Sequence, residues 1–122
     1  MKLLEDLFEI VESTPIETGF TTTIRLFPGH IIYSGHFPGH PITPGVVQLQ
    51  IVHELMENHL GKSLKLVTVD DCKFLKIIDP EETNEVQISV EYVLNNSLLH
   101  VKAAGKYDIY TFLKLKGSYL II

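Results

Sequence analysis

One stretch holds the only dense constellation of groups able to do chemistry, Gly35-His36-Phe37-Pro38-Gly39-His40-Pro41-Ile42-Thr43-Pro44-Gly45-Val46-Val47-Gln48-Leu49-Gln50. Its first half is rich in glycine and proline, which fix a backbone path and let it approach a ligand closely. His36 sits in that half. An imidazole titrates near neutral pH, so a histidine held on such a loop can act as a general base. The second half opens a helix at Pro44-Gly45. A helix start leaves its first N–H groups without intrahelical acceptors. The amides of Gly45 and Val46 therefore offer donors to a carbonyl oxygen and to the enolate that develops from it. A base and an oxyanion site together fit proton removal next to a carbonyl. On residue types alone, a solvent-facing histidine on a rigid loop is the simpler account.

Several elements must position this stretch. Before it, Leu7 to Val11 read as a short strand ended near Pro15, and Phe20 to Phe27 as a second, rich in β-branched residues. Ile31 to Tyr33 read as extended. Phe27-Pro28-Gly29-His30 repeats the tetrapeptide Phe37-Pro38-Gly39-His40, but the flanks differ, so no internal repeat follows. The spacing predicts a helix from about Pro44 to Leu60, with proline in the first turn and Gly61 as the stop. Leu49, Val52, Leu55, Met56 and Leu60 fall on one arc of it. Gln50, His53, Glu54, Glu57 and Asn58 fall largely opposite, with Val46 and Val47 among them.

After Gly61 the apolar period becomes two. Leu64 to Val69 and Cys72 to Ile78 read as one strand bent at Asp70-Asp71. Alternation from Val86 to Tyr92, an Asn95-Asn96 hairpin signal, Leu99 to Ala103, a turn at Gly105 to Asp108, and a last strand from Ile109 broken near Gly117 complete the pattern. The expected class is α+β, with antiparallel strands around one helix in a single domain over residues 1–122.

Composition narrows the functions. With 122 residues and 45% hydrophobic content, the chain can build a packed core. Its net charge of −5 argues against nucleic-acid binding, which needs a basic surface. No apolar run reaches membrane-spanning length. The early Glu5-Asp6 does not suit a signal peptide. The single cysteine, Cys72, precludes an internal disulfide and fits a reducing cytosol, so a cytoplasmic protein is expected.

The motif Gly-His-Phe-Pro-Gly-x-Pro-x-x-Pro-Gly-Val resembles the signature of the hotdog-fold 3-hydroxyacyl carrier-protein dehydratases of fatty-acid synthesis, closely over residues 35–49. Asp71-Cys72-Lys73-Phe74-Leu75-Lys76 resembles a second segment of that family, and strand order and length also agree. Pro44 to Leu49 is more like the branch that serves aryl-polyene-type pigment synthesis. The resemblance implies a hotdog fold, an antiparallel sheet wrapped around a central helix. It implies a homodimer or higher homo-oligomer with active sites between protomers. The substrate is an acyl chain on the 4'-phosphopantetheine arm of an acyl carrier protein, lying in an apolar tunnel. No metal and no soluble cofactor is implied. The reaction is dehydration of the 3-hydroxyacyl thioester to the trans-2-enoyl thioester, a hydro-lyase reaction. His36 matches the catalytic histidine, and the amides near Gly45 and Val46 match the thioester-carbonyl site.

One position departs from the family. It places a carboxylic acid on the helix fourteen residues after the histidine, where this chain has Gln50. An amide keeps size and hydrogen bonding but cannot exchange a proton as a carboxyl does. Three readings follow. Gln50 orients the hydroxyl while His36 shuttles the proton. Or a neighbour substitutes, Glu54 one turn on, with His53 and His40 as weaker choices. Or the chain is a catalytically impaired acyl-binding or partner subunit. A hotdog thioesterase fits less well, because such sites also use a helix carboxylate and lack this loop.

The remaining groups carry less. His30, His53, His59 and His100 lack metal-ligand spacing and read as surface or structural. Gln48 lies near the apolar arc and is expected to bond to backbone, with a tunnel-facing role as the alternative. Lys73 and Lys76, with Arg25, could form a basic rim for an acidic carrier protein. A solvated strand edge explains them equally well. Phe74 reads as tunnel wall or core.

Overall fold

A computed structural model describes residues 2–34 and 41–122. Six strands form one antiparallel sheet, and one long helix crosses its inner face. The strands are β1 (Phe8–Ile16), β2 (Gly19–Leu26), β3 (Leu64–Phe74), β4 (Glu85–Asn95), β5 (Leu98–Tyr107) and β6 (Tyr110–Ile121). The helix, α1, spans Gly45–Leu60. The strand order is β1-β2-β4-β5-β6-β3, so β1 and β3 are the two edges. This is the α+β arrangement expected from the change of period at Gly61.

The hairpin from β4 to β5 turns at Asn96, at φ 60°, a conformation asparagine tolerates. The hairpin from β5 to β6 turns at Asp108, at φ 51°. That is later than expected, because β5 runs through Gly105 to Tyr107. A bulge opposite Gly105 leaves Phe112 as the extra residue. The Phe112 ring fills the space where a Cβ on Gly105 would lie, at 2.3 Å. The expected break in β6 at Gly117 is absent. Gly117 pairs with Val101 on one side and Val69 on the other. It is glycine because a Cβ there would sit 2.5 Å from the Thr68 carbonyl oxygen. β3 pairs with β6 through two register shifts, one of them between Val69 and Asp71, where a bend was expected. It ends at Phe74, short of Ile78. β1 runs past the expected stop through Pro15. An edge strand allows this, since its outward N–H has no ladder partner to lose.

Alternation sends Phe20, Ile24, Leu26, Val86, Ile88, Val90, Leu99, Val101, Leu113, Leu115 and Tyr119 inward, where all are buried. They meet Val47, Ile51, Val52, Leu55 and Met56 of α1. Each such side chain contributes about 1.5–3 kcal/mol of burial. The buried arc of α1 is centred closer to Val47 and Ile51 than expected. Val47 and Glu54, expected on the polar side, are buried as well. Glu54 is covered by the N-terminal segment. Its Oε1 and Oε2 each accept from the Leu3 amide at 2.8 Å, and Oε1 accepts from the Leu4 amide at 2.8 Å. This pins Leu3 and Leu7, both buried, beneath the start of β1.

Candidate active site

Pro44 caps α1 with extended backbone, φ −61° and ψ 151°, and supplies no side-chain hydrogen bond to the first turn. The first turn also carries no acidic residue. Neither Pro44 nor an acidic side chain of the first turn satisfies the leading amides, and the positive end of the helix dipole lies at Gly45 and Val46. At the other end Gly61, at φ 65°, closes the helix in the left-handed conformation. The Phe74 ring packs on Gly45 so closely that a Cβ there would lie 2.7 Å from it. Glycine at this position lets the aromatic ring stand against the start of the helix. The Val46 and Phe74 side chains are both exposed. Phe74, expected to be tunnel wall or core, is a partly exposed wall.

The segments that flank residues 35–40 are tied to each other and to the core. Tyr33 belongs to a single 3-10 turn, Ile31–Tyr33, where extended backbone was expected. His30 caps that turn by accepting from the Ile32 amide at 3.0 Å and pairs with Asp6 at 2.9 Å. The Tyr33 hydroxyl bonds to the Thr43 hydroxyl at 3.0 Å, and both residues are buried. Burial pushes the Tyr33 phenol above its usual range. The Thr43 amide donates to the Ile78 carbonyl at 3.0 Å. Gln48 Nε2 donates to the Thr43 carbonyl at 3.1 Å, the backbone bond expected of it. Gln48 Oε1 is buried with no hydrogen-bond partner. Tyr33 and Thr43 thus join the two sides of the loop that carries His36, directly before the helix start. Sequence reading missed this pair. Its only signal is two hydroxyl residues flanking the Gly/Pro-rich stretch.

His36, the expected base, and His40 lie outside the described residues. Gln50 donates from Nε2 to Glu54 Oε2 at 2.8 Å. The two line an open cavity of about 410 Å³ together with Lys2, Leu4, Glu57 and Asn58. Glu54, the possible substitute acid, therefore has its carboxylate engaged by two backbone amides and by Gln50. To act as an acid it would have to give up these bonds. His53 lies 3.4 Å from Glu57 and meets the Tyr119 ring edge-on. His59 stacks on Phe20 at 4.2 Å. Among the described residues no group of three or more His, Cys, Asp or Glu side chains could hold a metal ion.

The expected basic rim is dispersed. Lys73 lies on the outer sheet face, 3.9 Å from Asp71. Lys76 places its ammonium 4.9 Å above the Tyr110 ring. Arg25 is held between Glu9 at 2.7 Å and Glu85 at 2.9 Å, away from both lysines on β2.

A single long helix packed against a six-stranded antiparallel sheet defines a hotdog protein. The chain belongs to the ApeI-like family, whose model, described as ApeI dehydratase, matches residues 12–108. It is 35% identical over 79 residues to the 3-hydroxyacyl-acyl-carrier-protein dehydratase FabZ of Fusobacterium nucleatum subsp. nucleatum, covering 61% of this chain and 54% of that protein. It is 29% identical over 66 residues to FabZ of Chloroflexus aggregans, covering 48% of this chain and 46% of the relative. The chain thus spans about half the length of the curated relatives it matches. In structure it is similar to the dehydratase heterocomplex ApeI:P from Xenorhabdus doucetiae, with TM-score 0.73 at 20% identity over 91% of this chain and 96% of that one. It is also similar to an uncharacterized protein from Erwinia carotovora subsp. atroseptica, with TM-score 0.69 at 16% identity over 95% and 96% of the two chains. These likenesses confirm the hotdog fold.

Proposed function

We propose that this protein dehydrates 3-hydroxyacyl thioesters carried on an acyl carrier protein to trans-2-enoyl thioesters, in fatty-acid or polyene synthesis. The observation that carries the reading is the uncapped start of α1, walled by Phe74 and clamped by Thr43 and Gln48, in a chain of a dehydratase family. The thioester carbonyl accepts from the Gly45 and Val46 amides. Its C2 proton becomes acidic because the enolate charge is shared with those donors. His36 removes that proton. The electron pair moves to form the C2–C3 double bond, and the 3-hydroxyl leaves. Protonation of that hydroxyl, by His36 passing on its proton while Gln50 orients the group, completes water. The family's acid would do this faster, and general acid–base help is typically worth about 10²–10⁴ in rate. The active unit is a dimer or higher oligomer of this chain.

The test is turnover of a 3-hydroxyacyl carrier substrate by wild type and by His36→Ala. We expect wild-type turnover above the uncatalysed rate and a drop of about 10²–10⁴ in kcat for the variant. Equal rates for wild type, variant and the no-enzyme control overturn the reading.

A second reading has its own observation. The amide of Gln50 is engaged with Glu54, whose carboxylate also accepts from the Leu3 and Leu4 amides, so the acid one turn from Gln50 is already tied up. On this reading the chain is an impaired, acyl-binding or partner subunit. It predicts low wild-type turnover that Gln50→Glu raises. Full wild-type activity that Gln50→Glu lowers would exclude it.

A further inference from the structure

Among the described residues Glu54 is the only acidic side chain that is buried. A buried carboxylate is costly unless donors surround it. Here they do. The Leu3 amide donates to Oε1 and Oε2 at 2.8 Å, the Leu4 amide to Oε1 at 2.8 Å, and Gln50 Nε2 to Oε2 at 2.8 Å. Every described partner is a donor, so the group works as an acceptor throughout. The segment that supplies two of the donors is itself fixed. Leu3 and Leu7 are buried, and Asp6 pairs with His30 at 2.9 Å. Glu54 is thus anchored from the N-terminal side, whatever Gln50 does.

Val46, Gln50 and Glu54 follow at intervals of four and share one stripe of α1. Gln50 lies between the helix start and the buried carboxylate, and it lines the same open cavity as Glu54. A side-chain amide has a donor end and an acceptor end, and a half-turn of the group exchanges them. An exposed pair four residues apart on a helix would leave that half-turn open. Glu54 closes it. An acceptor takes the amide nitrogen, so Gln50 Oε1 is the end turned away from Glu54.

We infer that Glu54 is a positioning residue that sets which end of the Gln50 amide meets the substrate: Nε2 stays on the buried carboxylate, and Oε1 is presented as an acceptor. The inference rests on the proposed function for the substrate's identity. The 3-hydroxyl donates its own hydrogen to Oε1, and its lone pairs are left to face the proton carried by His36. Glu54 neither gives nor takes a proton. That separates it from the substitute acid its spacing suggests, and it gives the N-terminal segment a part in the site through the Leu3 and Leu4 amides.

The experiment is a kinetic double-mutant cycle on the 3-hydroxyacyl carrier substrate with Gln50→Ala, Glu54→Gln and both. Glu54→Gln keeps the size. Its new amide accepts from Leu3 and Leu4 through oxygen and offers nitrogen to Gln50, which must then reverse and present a donor. We expect kcat to fall about tenfold with KM within about twofold of wild type. In the Gln50→Ala background the same change should alter kcat by no more than about twofold, because no amide is left to orient. An equal fall in both backgrounds marks a purely structural role and overturns the inference, as does wild-type kcat in Glu54→Gln. A second measurement needs neither turnover nor a folded Glu54 variant. Hydrogen exchange of the Gln50 side-chain amide is followed by NMR, with Gln50→Ala assigning the signal and the exposed Gln87 as reference. We expect exchange at least about tenfold slower at Gln50 than at Gln87. Equal exchange at the two overturns the inference. If wild type turns over no substrate, the dehydratase reading fails, and the exchange still decides whether Glu54 holds Gln50.

Discussion

Gln50 and Glu54 show how one helical turn can divide roles that the sequence presents alike. Both looked polar-facing, and the second was the natural replacement for the missing acid. The N-terminal segment folds over Glu54 and uses its carboxylate as an acceptor for the Leu3 and Leu4 amides. No pattern within α1 announces that, because the covering segment comes from about fifty residues away. The Tyr33–Thr43 hydrogen bond is equally silent in sequence. It gives a sharp prediction. Thr43→Val leaves the buried Tyr33 hydroxyl unpaired and should cost about 1–3 kcal/mol. Adding Tyr33→Phe removes the stranded group, so the double variant should be more stable than Thr43→Val alone. Urea unfolding of the four proteins in a double-mutant cycle checks this. Additive losses would show that the bond contributes nothing.

At the scale of elements, most of the fold was legible. The helix, its proline start and its glycine stop, and the alternating strands β4 and β5 follow from local periodicity. What failed were boundaries that depend on neighbours. β6 crosses Gly117 because strands on both sides close around it, and β1 crosses Pro15 because it is an edge. Gly45 is the element-scale control of the site. Gly45→Ala drives a methyl into the Phe74 ring, so the ring or the helix start must move. We expect kcat on the carrier substrate to fall by about tenfold, with a partial return in Gly45→Ala/Phe74→Leu. A Gly45→Ala variant with wild-type kinetics would show that Phe74 does not hold the amide pocket in place.

At the scale of the whole molecule, β3 is the exposed feature that asks for a partner. Among the described residues its outer ladder is unpaired, and Leu66, Val67 and Val69 are all substantially exposed on it. An apolar edge of this kind pairs with another strand unless it is blocked. Light scattering should give at least twice the 13.8 kDa chain mass, and Val69→Asp should shift it toward the monomer. A monomeric wild type would contradict the proposed assembly. On the proposed function, a histidine and two helix amides labilise the proton next to a thioester carbonyl, with an amide where an acid is usual. This is tested most directly by deuterium exchange. Wild type and His36→Ala are incubated with the 3-hydroxyacyl carrier substrate in D₂O, and the C2 deuterium of recovered substrate is measured by mass spectrometry against the rate of enoyl formation. C2 exchange in wild type is expected to be at least as fast as water loss, with none above background in His36→Ala. Absence of exchange and of enoyl product in wild type, or equal exchange in the variant, would contradict it.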